Sequence, residues 1–136
     1  MIVCGIEMKA SEARLVLLKG SKANYELISI RPRKLALTDD ENADEVRAFR
    51  DALYAFFREN NVELVVIKKR GTSGDYAGGP VGFKLEGIAQ LYVDCDIRLI
   101  ASQTIAAAIR RHTPLIPQSL PRYQEAAFEA AFSALP

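Results

Sequence analysis

The chain has 136 residues, 49% hydrophobic and 26% charged, with a formal net charge of +1. That length suits one domain, residues 1–136, burying roughly two-thirds of the surface its unfolded form exposes, and so large an apolar fraction excludes a disordered chain. The charge balance excludes the strong basic surplus of a dedicated duplex-DNA binder, so any nucleic-acid contact has to come from local basic patches.

Met1–Ile6 and Ala13–Leu18 are strand-forming runs joined by the polar stretch Met8–Glu12, and Tyr25–Ile30 is a third, entered through GSKAN. The first run breaks at Glu7 and Lys9, too soon for a signal-peptide core or a bilayer span. No later run reaches that length, so the expected setting is cytoplasmic with no membrane partner. Cys4 and Cys95 form no CxxC and read as small core residues. After Pro32, acids from Asp39 to Asp44 precede Val46, Phe49, Leu53, Phe56 and Phe57 at helical spacing, an order the helix dipole favours. VELVVI, Val62–Ile67, has the apolar character of a strand covered on both faces. It runs into Lys68, Lys69 and Arg70 and then the glycine-rich GTSGDYAGG, Gly71–Gly79. Pro80 stands where a proline starts a helix, with Val81, Leu85, Ile88, Leu91 and Tyr92 as the apolar stripe. Ile97–Ala101 is a fifth strand, Ser102 is placed to cap a helix that stops before Pro114, and Ser119 with Pro121 introduces a last helix. The order β-β-β-α-β-α-β-α-α predicts an α/β fold: a mixed five-stranded sheet, three strands antiparallel and the rest parallel, with helices on both faces.

That order, with an acid at the end of the first strand, resembles the ribonuclease H fold, and its layout is similar to the RuvC-type Holliday-junction resolvases. In that family the first strand reads apolar-apolar-Gly-Ile-Asp and carries a metal ligand; here IVCGIE puts Glu7 at that position. The last helix, QEAAFEAAFSAL, resembles the resolvase helix that supplies further acids and places Glu129 there, with Glu125 one turn earlier. Where the family has a glutamate after its next strand, VVIKKR offers Lys68 or Lys69. Over nearly the whole chain, VCGIE, SEA and AGGPVGFKLEGIAQL resemble an uncharacterised bacterial domain of unknown function grouped with the RuvC-like proteins. The resemblance implies the fold, a site at Glu7, Glu125 and Glu129, magnesium or manganese held by Glu7 and Glu129 if the site is active, structured DNA or RNA as partner, and a homodimer by analogy.

The residues argue for and against such a site. Hard cations want carboxylate oxygens, and two of them stabilise the attacking and leaving oxygens of phosphodiester cleavage. Glu125 and Glu129, four apart, share a helix face, although surface acids at that spacing are commonplace. A strand-end acid such as Glu7 has a desolvation cost that a site would explain. Lysine opposes a metal. An ammonium about 4 Å from a divalent ion is repelled by roughly 8 kcal/mol at an effective dielectric near 20, and attracted to a carboxylate by about half as much. The sequence therefore predicts that Lys68 or Lys69 pairs with Glu7 and takes the metal's place, with Asp75 a substitute ligand. The glycine loop lacks P-loop or dinucleotide spacing. Its place ahead of a helix still suggests a phosphate-binding rim of Lys68, Lys69, Arg70 and Lys84 beside Gly74, Asp75, Gly78 and Gly79, with Tyr76 as a stacking surface. Arg31, Arg33 and Lys34 form a second basic cluster that reads as ordinary surface, and the lone His112 builds neither a triad nor a zinc site. The expected function is engagement of a nucleic-acid backbone by a degenerate or weakened nuclease site. The alternative is a protein-interaction or small-anion-binding domain without a nucleic-acid role.

Overall fold

The computed structural model describes residues 1–71 and 79–136. Strands β1 (Ile2–Lys9) and β2 (Glu12–Gly20) form a hairpin around a two-residue turn, with Ala10 at φ 52°. β3 (Tyr25–Ile28) and β4 (Lys34–Ala36) follow, then α1 (Ala43–Glu59), β5 (Leu64–Lys68), α2 (Pro80–Gln90), β6 (Asp96–Ile100) and α3 (Ser102–His112). A 3-10 turn, Arg122–Gln124, leads into α4 (Glu125–Ser133). No helix among the described residues is long and apolar enough to cross a membrane.

The sheet order is β3-β2-β1-β5-β6, with β4 also pairing β2. β1 is central, antiparallel to β2 and parallel to β5, and β6 runs parallel to β5. The sheet thus has six strands where the sequence predicts five. β2 is long enough to hold two partners on one edge, β3 opposite Leu17–Gly20 and β4 opposite Glu12–Arg14. A three-residue strand following Pro32 and Arg33 carries too little periodicity to be seen in the sequence.

The caps follow local chemistry. Asn42 accepts from the Asp44 and Glu45 amides at the start of α1, and Pro80 occupies the first turn of α2. Ser102 is not the cap of α3: Ala101 takes that place, and no side chain bonds to the cap. Alternation along the strands sends Cys4, Ile6, Leu15, Leu17, Val65 and Ile67 to the face covered by α1 and α2. Val3, Val16, Leu18, Leu64 and Val66 face α3 and α4, against Phe128 and Phe132. Contact is tightest at Gly5, where a Cβ would lie 2.0 Å from the Ala127 carbonyl oxygen and 2.7 Å from the Ala131 nitrogen. Glycine in β1 and alanines in α4 therefore let the helix backbone rest on the central strand, fixing which α4 residues overhang its end.

Candidate functional site

Glu7 lies two residues beyond Gly5 and so faces α4 as well. Opposite it in the hairpin register is Arg14, and opposite Arg14 is Lys34 of β4. On the other side, Glu7 and Lys68 each follow the last paired residues of the β1–β5 ladder, Ile6 and Ile67. Lys34, Arg14, Glu7 and Lys68 therefore form a row across four strands on one face of the sheet. At the usual strand spacing it is roughly 14 Å from end to end.

The ionic contacts correct the pairing expected for Glu7. Arg14 Nη1 lies 3.6 Å from Glu7 Oε1, and among the described residues neither Lys68 nor Lys69 makes an ion pair with Glu7. Arg14 also donates from Nε to Glu12 at 2.9 Å, and Lys34 Nζ stands 3.9 Å from the other Glu12 oxygen. Lys68 faces the last helix instead. Burial pushes the Glu129 carboxyl above its ordinary value, the Lys68 ammonium pulls it back, and Glu125 one turn away adds to the rise. Lys68 and Glu129 share the wall of a cleft of about 360 Å³ between α3 and α4 that also includes Ser102, Ile105 and Arg110.

The rest of the expected rim is only partly free. Lys84 is held by Asp40, 2.8 Å from its carbonyl and 3.0 Å from its carboxylate. Arg70 donates to the Met8 carbonyl oxygen, lies over the Phe83 ring and occupies the space a Cβ at Gly82 would need. Lys69 is exposed, with its amide donating to Ile100 at 2.8 Å. Gly79 is the N-cap of α2 and is exposed, whereas Gly74, Asp75, Tyr76 and Gly78 lie outside the described residues.

Several residues of this edge escape a reading of the sequence. Arg14 and Lys34 lie over the Tyr123 ring, Lys34 Nζ 5.2 Å and the Arg14 guanidinium carbon 5.8 Å from its centroid. On the opposite face, Glu86 of α2 is 8% exposed and its Oε2 has no hydrogen-bond partner among the described residues. Burial raises its carboxyl, against the pull of Arg70 and Lys69. The signal for Arg14 was present: a two-residue hairpin turn after Lys9 puts residue 14 opposite residue 7. Nothing in the sequence distinguishes Glu86 from a helix-surface acid.

A divalent metal does not fit this donor set. Glu7 has a guanidinium beside it, and Glu129 shares its cleft wall with an ammonium. Among the described residues no three acid, His or Cys side chains are grouped to hold a metal ion. What the row offers is alternating charge: Lys34, Arg14 and Lys68 against Glu7, Glu12 and Glu129, with exposed Lys9, Arg33 and Lys69 adding positive charge around it.

Residues 1–134 match the family described as "Protein of unknown function (DUF3010)". The chain belongs to that family. The family description assigns no activity, and no curated protein matches the chain. Among solved structures it is similar to Thermus thermophilus RuvC, with 12% identity over 98% of this chain and 92% of that one at a TM-score of 0.73. The same protein in complex with Holliday junction substrate matches at 13% identity, 98% and 91% coverage and a TM-score of 0.68. The Fowlpox virus resolvase, in complex with Holliday junction DNA, matches at 14% identity, 99% and 93% coverage and 0.53. At such identities the likeness establishes the fold alone, the ribonuclease H-like fold of RuvC.

Proposed function

We propose that the chain engages the phosphate backbone of structured DNA or RNA at the row Lys34–Arg14–Glu7–Lys68, and that the nuclease chemistry its fold can host is weakened or lost there. The observation that carries this reading is the placement of a cation beside each acid: Arg14 at Glu7, and Lys68 on the wall of the Glu129 cleft. Fixed cations do electrostatically what a metal would do for a phosphate, attracting and orienting it, but they activate no water for attack. Arg14 can present its guanidinium to phosphate oxygens as a fork, and Lys68 and Lys69 act as point charges. The small-anion or protein-binding alternative draws its support from the net charge of +1.

The test is a labelled four-way DNA junction incubated with the protein in manganese. The expected result is a bound and uncut junction, with binding weakened by Lys68→Ala and Arg14→Ala. Manganese-dependent cutting that disappears in Glu7→Ala would overturn the weakened-site reading. Absence of binding to any branched or single-stranded nucleic acid would favour the alternative.

A further inference from the structure

The tyrosines among the described residues divide by use. Tyr25, Tyr54 and Tyr92 pack into the two cores, whereas Tyr123 joins neither of them, and among the described residues it has no aromatic partner. It sits half-buried in the 3-10 turn ahead of α4, with the side chains of Lys34 and Arg14 against its ring. Its backbone is fixed from both sides. Pro121 precedes the turn, and the next residue, Gln124, is 3% exposed and donates from Nε2 to the Leu15 carbonyl oxygen at 2.8 Å. An aromatic ring left out of the core and held on a rigid turn with two cations over it is a combination that suits unpaired nucleotides: a base replaces a cation on the π-face and the cations take the adjoining phosphates.

We infer that Tyr123 is a stacking platform for an unpaired base, with Lys34 and Arg14 on the phosphates beside it, so that the ligand class at this end of the row is single-stranded nucleic acid. This rests on the backbone-binding reading above and adds that an unpaired stretch within the structured nucleic acid is what this end of the row takes. Lys34 is the group that yields. Its side chain is 54% exposed, its pairing with Glu12 is 3.9 Å long and its ammonium is 5.2 Å from the ring centroid, so moving it to a phosphate exchanges two weak contacts for a stronger one. Arg14, tied to Glu7 and Glu12, stays in place and marks the inner end of the platform. In an intact duplex each base is already stacked between its neighbours and cannot reach the ring, which is the source of the selectivity.

The experiment measures anisotropy of a labelled single-stranded oligonucleotide and of the same sequence as a blunt duplex, using the full chain and the variants Tyr123→Phe and Tyr123→Ala. Base stacking on an aromatic side chain corresponds to roughly 5- to 150-fold in affinity. The expected result is a loss in that range for Tyr123→Ala on the single strand, less than about 2-fold change on the duplex, and wild-type binding for Tyr123→Phe. A single strand carrying one abasic nucleotide, moved along the sequence, provides a readout with unaltered protein: at one register it reproduces the alanine loss. Equal losses on both ligands, a phenylalanine variant as weak as the alanine one, or indifference to the abasic position would overturn the platform while leaving backbone binding intact. Wild-type protein that binds the four-way junction but neither of these ligands would likewise overturn the platform and leave backbone binding standing, whereas failure on all three would remove both readings.

Discussion

At the scale of single residues, the site end of the sheet combines close packing with buried charge, and each has a measurable sign. Glu129 binds its proton more tightly in the folded chain than in the unfolded one, because burial outweighs the attraction of Lys68. Ionising it therefore costs stability as pH rises through the carboxylate range, and the cost is complete above the folded value. Glu129→Gln is expected to raise the urea midpoint at pH 7, with the gain fading towards about pH 4; a gain independent of pH would show that shape and not charge is responsible. Gly5 tests the packing that positions Glu7. Its Cβ would run into the Ala127 carbonyl, so Gly5→Ala should destabilise by about 3 kcal/mol. Gly87→Ala on α2, where among the described residues no atom beyond its chain neighbours and its own helix's backbone lies within 4 Å of the added carbon, should stabilise by about 0.5–1 kcal/mol. Urea denaturation of the two variants side by side checks the contrast.

Among the elements, those with a full period were legible in the sequence and those set by register were not. α1 announced itself through its apolar spacing and first-turn acids, and α2 through Pro80. The hairpin was seen but cut short: reading Met8–Glu12 as a connection ended the first strand at Ile6, whereas β1 continues to Lys9 and turns on two residues. That difference hid the site. Only the longer pairing puts Arg14 across from Glu7; the pairing with Lys68 or Lys69 is expected instead because they stand where the resembled family keeps a glutamate. The charged β4, which brings Lys34 into the row, was invisible because three residues show no alternation. The turn before α4 is joined to β2 through Gln124, whose loss would leave the buried Leu15 carbonyl without this donor. Gln124→Ala should cost about 1–2 kcal/mol. By hydrogen exchange, the loss of protection should concentrate in residues 121–127 and 13–16; an even loss over all strands would show that the bond does not act locally.

For the molecule as a whole, the order of elements along the chain and the strand directions were legible because they follow from patterning: alternating runs at the front, fully apolar strands between helices behind. The chemistry at the end of that sheet was less so, since it depends on which side chains the register brings side by side. The fold is that of RuvC, and the row across β4, β2, β1 and β5 fills the end of its central strand with paired charges. Net charge of +1 means that this row and its rim, not a diffuse basic field, have to supply any attraction for phosphate. The most direct measurement of this account is the affinity for a four-way DNA junction across a potassium chloride series in EDTA. Binding that persists without divalent ions, with a linear log–log salt dependence whose slope shrinks by about one in Lys68→Ala, is the expected result. Binding that appears only when magnesium or manganese is restored, and is lost in Glu7→Ala, would contradict it.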